Sequence, residues 1–217
     1  MSKILYWANF TAQTMADSMG ITVEDAKSTN CNSLSHATEC RVKVLCDGFR
    51  ETSQKPWDVT ETKNGNRKLE VRNMDKKISF APSTATGKGR MFEMETFEKK
   101  LSSLGNEGIY VVADCRPFKY PEEYENPYIR FYQIPGTLVS GLYALGAIGN
   151  TAHIGSQKRK HYNKTYQSNM RFDELFPWDE TSPFCGFDPN KNLINYPSAQ
   201  VVLNRAVDAI EKQRTRG

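Results

Sequence analysis

The order of helical and strand patterns constrains the fold of this chain more than any other feature. Apolar residues recurring near a 3.6-residue period predict helices at residues 34–47, 92–104, 137–148 and 198–213. Short segments rich in apolar, β-branched and aromatic residues predict strands at residues 56–61, 68–73, 77–82, 108–114 and 128–134. The order helix, antiparallel strands, helix, strand, strand, helix predicts an α/β fold with a mixed sheet.

Cap and turn residues predict where these elements end. Glycine tolerates positive φ and commonly follows a helix, and such glycines stand after residues 11–19, 34–47 and 92–104, at Gly20, Gly48 and Gly105. Thr22 and Asp25 have the spacing of a capping box, which predicts a helix over residues 22–28. Asn64-Gly65 predicts a tight hairpin between the first two strands. We expect residues 151–197 to be mainly loop.

The composition is that of a globular protein. With 217 residues, 38% apolar and 25% charged, we expect one domain with its own core. The longest apolar runs fall far below the roughly 20 residues that span a bilayer. The 5 cysteines contain no Cys-x-x-Cys pair and no standard zinc spacing, and Cys40 is expected in a helix core. This usage is typical of a reducing compartment, so we expect a soluble, cytoplasmic protein without a membrane segment.

Positive charge is concentrated in one stretch of a mildly basic chain, whose formal net charge is +4. Residues 150–172 contain no acidic residue. They contain five basic residues, Lys158, Arg159, Lys160, Lys164 and Arg171. A clustered positive face is the electrostatic feature expected for binding a phosphate backbone. A solvated surface loop remains the alternative, because many charge runs are no more than that.

A candidate chemical site spans the first two predicted strands. Glu70 and Arg72 are two residues apart, so their side chains point to the same side of a strand, whereas Leu69 and Val71 point into the core. Cross-strand pairing can bring Asp58 beside Glu70. Two carboxylates with a neighbouring cation suit Mg²⁺, which takes few protein carboxylates, keeps several waters and can activate a water against a phosphodiester.

This arrangement resembles the PD-(D/E)xK nuclease superfamily, the fold of most restriction endonucleases. The resemblance covers residues 33–136 and implies a restriction-endonuclease-like mixed β-sheet flanked by helices, with 1–32 as an N-terminal helical elaboration and 137–217 as a DNA-contact region. It implies that Glu39, in the first core helix, contributes to the metal site. It also implies that residues 83–90, with Lys88 and Arg90, cross the DNA.

The sequence departs from the family pattern at Arg72, which stands where the family has lysine. Arginine stays protonated and cannot act as a general base, but it can stabilise charge that develops on a phosphate. Lys68, Lys76 and Lys77 are other cations that could reach the site. Two alternatives remain: a second set made of Asp47, Glu61 and Lys63, and an exposed hairpin whose charges have no special role.

The resemblance therefore implies a Mg²⁺-dependent, site-specific endonuclease that cuts double-stranded DNA as a homodimer. Asp58 and Glu70, with the Val71 carbonyl, would hold Mg²⁺; Arg72 would stabilise the transition state, and Glu39 would bind a second metal or a water. The residues expected to grip DNA are Lys88, Arg90, Gln157, Lys158, Arg159, Lys160, His161 and Lys164. An inactive DNA-binding protein on the same fold and a protein that does not bind nucleic acid are the alternatives.

Overall fold

The structure is a computed structural model that describes residues 16–17, 20–28, 34–51, 55–62, 66–74, 77–80, 94–124, 129–148, 153–155, 172–179 and 197–215. Its helices are α1 (Val23–Ser28), α2 (Leu34–Leu45), α3 (Met94–Leu104), α4 (Arg116–Lys119), α5 (Gly136–Ala144), α6 (Phe172–Leu175) and α7 (Pro197–Arg214). Its strands are β1 (Gly48–Arg50), β2 (Val59–Glu61), β3 (Lys68–Met74), β4 (Lys77–Ser79), β5 (Ile109–Asp114), β6 (Arg130–Pro135) and β7 (His153–Gly155). Within these ranges, no helix is long and apolar enough to cross a membrane.

A five-stranded mixed sheet in the order β1-β2-β3-β5-β6 forms the centre of the fold. Strands β1, β2 and β3 are antiparallel neighbours, and β6 is antiparallel to β5. Strand β3 runs parallel to β5, with Leu69 opposite Ile109 and Met74 opposite Asp114. A parallel pair needs a long crossover, and α3 lies in the segment that connects these two strands. The predicted α/β fold with a mixed sheet is confirmed.

Helices cover both faces of this sheet. Leu69 and Val71 are buried as predicted and pack with Val42 of α2 and with Cys46, which directly follows the helix, on one face. Alternate residues of β5, which is buried along its whole length, point to the opposite face and join the core formed by α3, α5 and α7. Because side chains alternate along a strand, Glu70 and Arg72 share the α3 side of the sheet.

A second, two-stranded sheet pairs β4 with β7, so that Ile78 lies opposite Ile154. Ile78 and Phe80 are fully buried in the core beneath it. Strand β7 and helix α6 are two short elements within residues 151–197, the segment predicted to be mainly loop; most of that segment lies outside the described residues. Elements of three or four residues are too short to display a period in the sequence, and tertiary pairing determines them.

The end of α2 shows a second difference from the prediction. The helix stops at Leu45, the residue with positive φ is Asp47 (φ 49°), and Gly48 opens strand β1, which was not predicted. A Cβ on Gly48 would lie 2.5 Å from the main-chain oxygen of Thr60 on β2. Glycine is therefore needed there for the close approach of two strands rather than as a helix cap.

The other predicted caps agree with the structure. Gly20 and Gly105 have positive φ, of 59° and 72°, and Thr22 Oγ1 accepts a hydrogen bond from the Asp25 amide at 3.0 Å. Of the predicted 11–19 helix only residues 16 and 17 are described, and both are helical. The first predicted strand is shorter than expected, because β2 begins only at Val59, directly after Asp58.

The cysteines that the structure describes, Cys40, Cys46 and Cys115, are buried thiols. Cys40 packs with Ala16, Ile21 and Ala37, as expected for a residue of a helix core. Burial raises the pKa of the Cys46 thiol to about 12, which keeps it protonated and unreactive. A cytoplasmic location stays a prediction.

Candidate active site

Asp58 is held in place by the backbone of the neighbouring strand. Its amide donates to the Leu69 carbonyl at 3.0 Å, and its own carbonyl accepts from the Glu51 amide at 2.8 Å. One carboxylate oxygen, Oδ2, accepts a hydrogen bond from the Val71 amide at 2.8 Å. Among the described residues no donor is bound to Oδ1, so the half-buried carboxylate has a fixed orientation and one oxygen available for a ligand.

The main chain of Val71 adds a second oxygen on the same side. The N–H and C=O groups of one strand residue point toward the same neighbour, and the Val71 N–H points at Asp58. Strand β2 pairs with β3 only at Lys68 and Leu69. The Val71 carbonyl therefore projects beyond the end of the β2 ladder, beside the Asp58 carboxylate.

Glu70 is buried on the α3 face of β3, with its side chain 1% exposed. It forms an ion pair with the guanidinium of Arg72, and Lys100 Nζ lies 2.6 Å from its Oε2 atom. Burial raises the pKa of Glu70 to about 7, because desolvation outweighs the two cations and nearby Asp58 adds repulsion. This burial contradicts the alternative of an exposed hairpin with ordinary charges.

Lys100 is a site residue that the sequence analysis missed. It projects from α3 with its side chain 10% exposed, and burial lowers its pKa. In the sequence it stands three residues after Phe97 and four before Leu104, which places it on the apolar face of an amphipathic helix. A lysine within such a stripe is the feature that could have identified it.

Arg72 is the more exposed of the two cations on Glu70. Its side chain is 20% exposed, and its Nε atom is buried without a hydrogen-bond acceptor among the described residues. The guanidinium therefore retains donors beyond those used by Glu70. A planar group with several donors is suited to binding phosphate oxygens.

Glu39 reaches the neighbourhood of Asp58 from the other face of the sheet. Its carboxylate is bound by Arg50 Nε at 2.8 Å and is 12% exposed. Burial and the negative charge of Asp58 raise the pKa of Glu39, while Arg50 opposes this change. Asp58 thus interacts electrostatically with a carboxylate on each side of it, Glu39 and Glu70.

The second candidate set, Asp47, Glu61 and Lys63, offers no open carboxylate pair. Glu61 is completely buried, and its two oxygens accept from Arg67, from Nη2 at 2.9 Å and from Nε. Asp47 is exposed at the end of α2, and Lys63 lies outside the described residues. Asp58 and Glu70 are therefore the stronger carboxylate set.

The other predicted cations do not meet at this site among the described residues. Lys68 Nζ donates to the Ser103 carbonyl at 2.7 Å and lies 4.4 Å from the Trp57 ring centroid. The Lys77 side chain and Lys76 lie outside the described residues, as do the predicted DNA contacts Lys88, Arg90, Gln157, Lys158, Arg159, Lys160, His161 and Lys164.

Oxygen atoms of the kind that a small divalent metal takes as ligands are present at Asp58, Glu70 and the Val71 main chain. No group of three or more His, Cys, Asp or Glu side chains suited to a metal occurs in the described ranges. Asp58 Oδ1, the Val71 carbonyl and a Glu70 oxygen form an oxygen-only set, and Mg²⁺ completes such a set with waters. No family model, curated protein or solved structure matches this chain.

Proposed function

We propose that this protein is a Mg²⁺-dependent endonuclease that hydrolyses phosphodiester bonds of double-stranded DNA. The observation that carries the proposal is the Asp58 carboxylate, which the Val71 amide orients. Next to it lies the buried Glu70, which forms ion pairs with Arg72 and Lys100. Carboxylates, a carbonyl and positive charge in one place are the groups needed to hold a metal and to neutralise a phosphate.

The topology supports a restriction-endonuclease-like core for this proposal. Helix α2, three antiparallel strands, helix α3 and a strand parallel to β3 follow one another in the order of the PD-(D/E)xK family resemblance. Of the residues that the resemblance assigns to the acidic motif, Glu70 lies on β3 and Asp58 directly precedes the adjacent strand β2. The family helix that carries a glutamate corresponds to α2, whose Glu39 is close enough to Asp58 for its pKa to be raised by that carboxylate.

In this proposal Asp58, Glu70 and the Val71 carbonyl hold Mg²⁺. When bound, the metal supplies an activated water and a positive charge against the phosphate. Asp58 stays oriented through its second oxygen on the Val71 amide. Arg72 contributes a permanent positive charge beside the scissile phosphate, and Glu39 binds a second metal or a water.

Double-stranded DNA is the proposed substrate because positive charge is clustered in residues 150–172. Each phosphate contacted there releases condensed counter-ions and strengthens binding. Glutamine and asparagine side chains among these basic residues suit base reading in the grooves. A homodimer that reads a short duplex site is part of the proposal.

A second candidate function is DNA binding without cleavage. Both Glu70 oxygens are engaged by cations, and the strand carries arginine where the family has lysine. These two observations favour a protein whose carboxylates are permanently neutralised by Arg72 and Lys100.

Conversion of supercoiled plasmid to nicked and linear forms, with Mg²⁺ or with EDTA, tests the proposal. Wild type is expected to cut only with Mg²⁺, and Asp58→Asn and Glu70→Gln each to lose ~10²-fold or more in rate. Glu107→Gln, which changes an exposed glutamate in the turn after α3, is the matched control and should cut like wild type.

Fluorescence anisotropy with labelled duplex separates the remaining outcomes. Wild-type binding without cleavage supports the second candidate, and neither binding nor cleavage supports a protein that does not act on nucleic acid. Normal cutting by Asp58→Asn removes Asp58 from the site.

A further inference from the structure

The two cations on Glu70 come from different elements and differ in chemistry. Arg72 projects from the same strand as Glu70 and pairs with Glu70 Oε1, whereas Lys100 projects from α3 and pairs with Glu70 Oε2. Arg72 is the more exposed of the two side chains, at 20% against 10%. The arginine is therefore the more accessible of the two cations to a ligand, and the lysine is the more enclosed.

The guanidinium of Arg72 and the ammonium of Lys100 also differ in how they bind oxygen atoms. A guanidinium presents a planar fork that matches phosphate oxygens, whereas an ammonium is a compact charge with three donors on a flexible stem. The ammonium can stay in its ion pair with Glu70 and direct a donor to a neighbouring water.

We propose that Lys100 is a catalytic residue that holds and polarises the attacking water, while Arg72 binds the phosphate. This inference rests on the nuclease function proposed above. It assigns the water-directed positive charge to a helix residue 28 positions beyond the strand arginine.

In the step concerned, the water oxygen forms a bond to phosphorus as the P–O3′ bond breaks. One water proton leaves to solvent, and the 3′ oxygen takes a proton from solvent, which yields a 5′-phosphate and a 3′-hydroxyl. The Lys100 ammonium donates a hydrogen bond to the attacking oxygen. Its positive charge stabilises the negative charge that develops as the proton leaves.

Single-turnover cleavage at saturating duplex DNA tests the role of Lys100. Lys100→Met keeps most of the side-chain volume and removes the charge, and is expected to slow cleavage by ~10²-fold or more, with the Kd for DNA within about threefold of wild type. Lys99→Met, on the exposed neighbouring position of α3, is the matched control. Cleavage by Lys100→Met within threefold of wild type would overturn the proposal.

Relocating the charge gives a second readout. The double variant Arg72→Lys/Lys100→Met places an ammonium on Glu70 from the strand, and it should cut at least ~10-fold faster than Lys100→Met alone. Lys100→Arg keeps the charge and should also exceed Lys100→Met by this factor. A double variant no faster than Lys100→Met overturns the proposal, because a merely structural lysine is not replaced from another element.

The melting temperature of every variant is measured with and without Mg²⁺. If Lys100→Met does not fold at the assay temperature, Lys100→Arg and the double variant test the role of Lys100 instead. If both variants fold and both cut at less than ~1% of the wild-type rate, the proposal is overturned. An active wild type with an active Lys100→Met refutes only the role of Lys100. An inactive wild type refutes the nuclease function and, with it, this inference.

Discussion

The burial of Glu70 predicts an unusual dependence of stability on pH. The pKa of this carboxyl is about 7 in the folded protein, against an ordinary value of 4.5. Between these two pKa values the folded chain retains a proton that the unfolded chain has lost, so the free energy of unfolding falls as pH rises. The contribution of Glu70 is fully present below pH 4.5 and is lost as pH rises through 7.

The magnitude follows from the two pKa values. Integrated from pH 5.5 to pH 8.0, the linkage relation gives a loss of about 2 kcal/mol from Glu70. Glu70→Gln removes this titration. Its other effects, on the contacts of Arg72 and Lys100, do not depend on pH wherever both cations stay protonated. The informative quantity is therefore the difference between the two proteins as a function of pH.

Urea unfolding at several pH values between 5.5 and 8.0, in EDTA, measures this difference. The free energy of unfolding of Glu70→Gln, relative to that of wild type, should rise by about 2 kcal/mol between pH 5.5 and pH 8.0, while Glu107→Gln follows wild type throughout. A difference that stays constant with pH would refute the reasoning, because it would show that Glu70 titrates alike in the folded and unfolded chains.

Three further predictions concern other parts of the molecule. Arg72→Lys should keep cleavage within about tenfold of wild type, whereas Arg72→Ala should lose ~10²–10³-fold in single-turnover assays; full activity of the alanine variant removes Arg72 from the mechanism. Replacing Lys158, Arg159 and Lys160 by alanine should reduce the slope of log K for DNA binding against log salt concentration by roughly two to three. An unchanged slope means that this run does not contact the DNA. Gly48→Ala should destabilise the protein by roughly 1–3 kcal/mol in urea unfolding, because its Cβ would meet a main-chain oxygen of β2 at 2.5 Å; wild-type stability would contradict the close approach of β1 and β2.

Local patterns in the sequence were sufficient to predict the central part of the fold. Strand β3 was predicted to within one residue, and the two-residue spacing of Glu70 and Arg72 placed both side chains on one face. Both results depend on periodicity within one element, which the sequence displays directly. The position of Leu69 and Val71 together on the opposite, α2 face follows from the same periodicity.

The parts that were missed depend on contacts between distant segments. Strand β1 exists because Gly48 allows its three residues to pair with β2, and a three-residue strand shows no period of its own. Lys100 lies 30 residues after Glu70 in the sequence, and only the crossover that makes β3 and β5 parallel brings α3 over the carboxylate. The sequence shows a lysine in the apolar face of a helix, but its spacing does not identify Glu70 as its partner.

Calorimetric titration of Mg²⁺ or Mn²⁺ at pH 8.0 tests the central claim that Asp58 and Glu70 form one divalent-metal site. At this pH, above the pKa of about 7, Glu70 is ionised. The account predicts binding to wild type and to Glu107→Gln, and an affinity at least ~10-fold lower for Asp58→Asn and for Glu70→Gln, since each change removes a ligand from a small oxygen set. Wild-type affinity in either variant, or a wild type that binds neither ion, would contradict it.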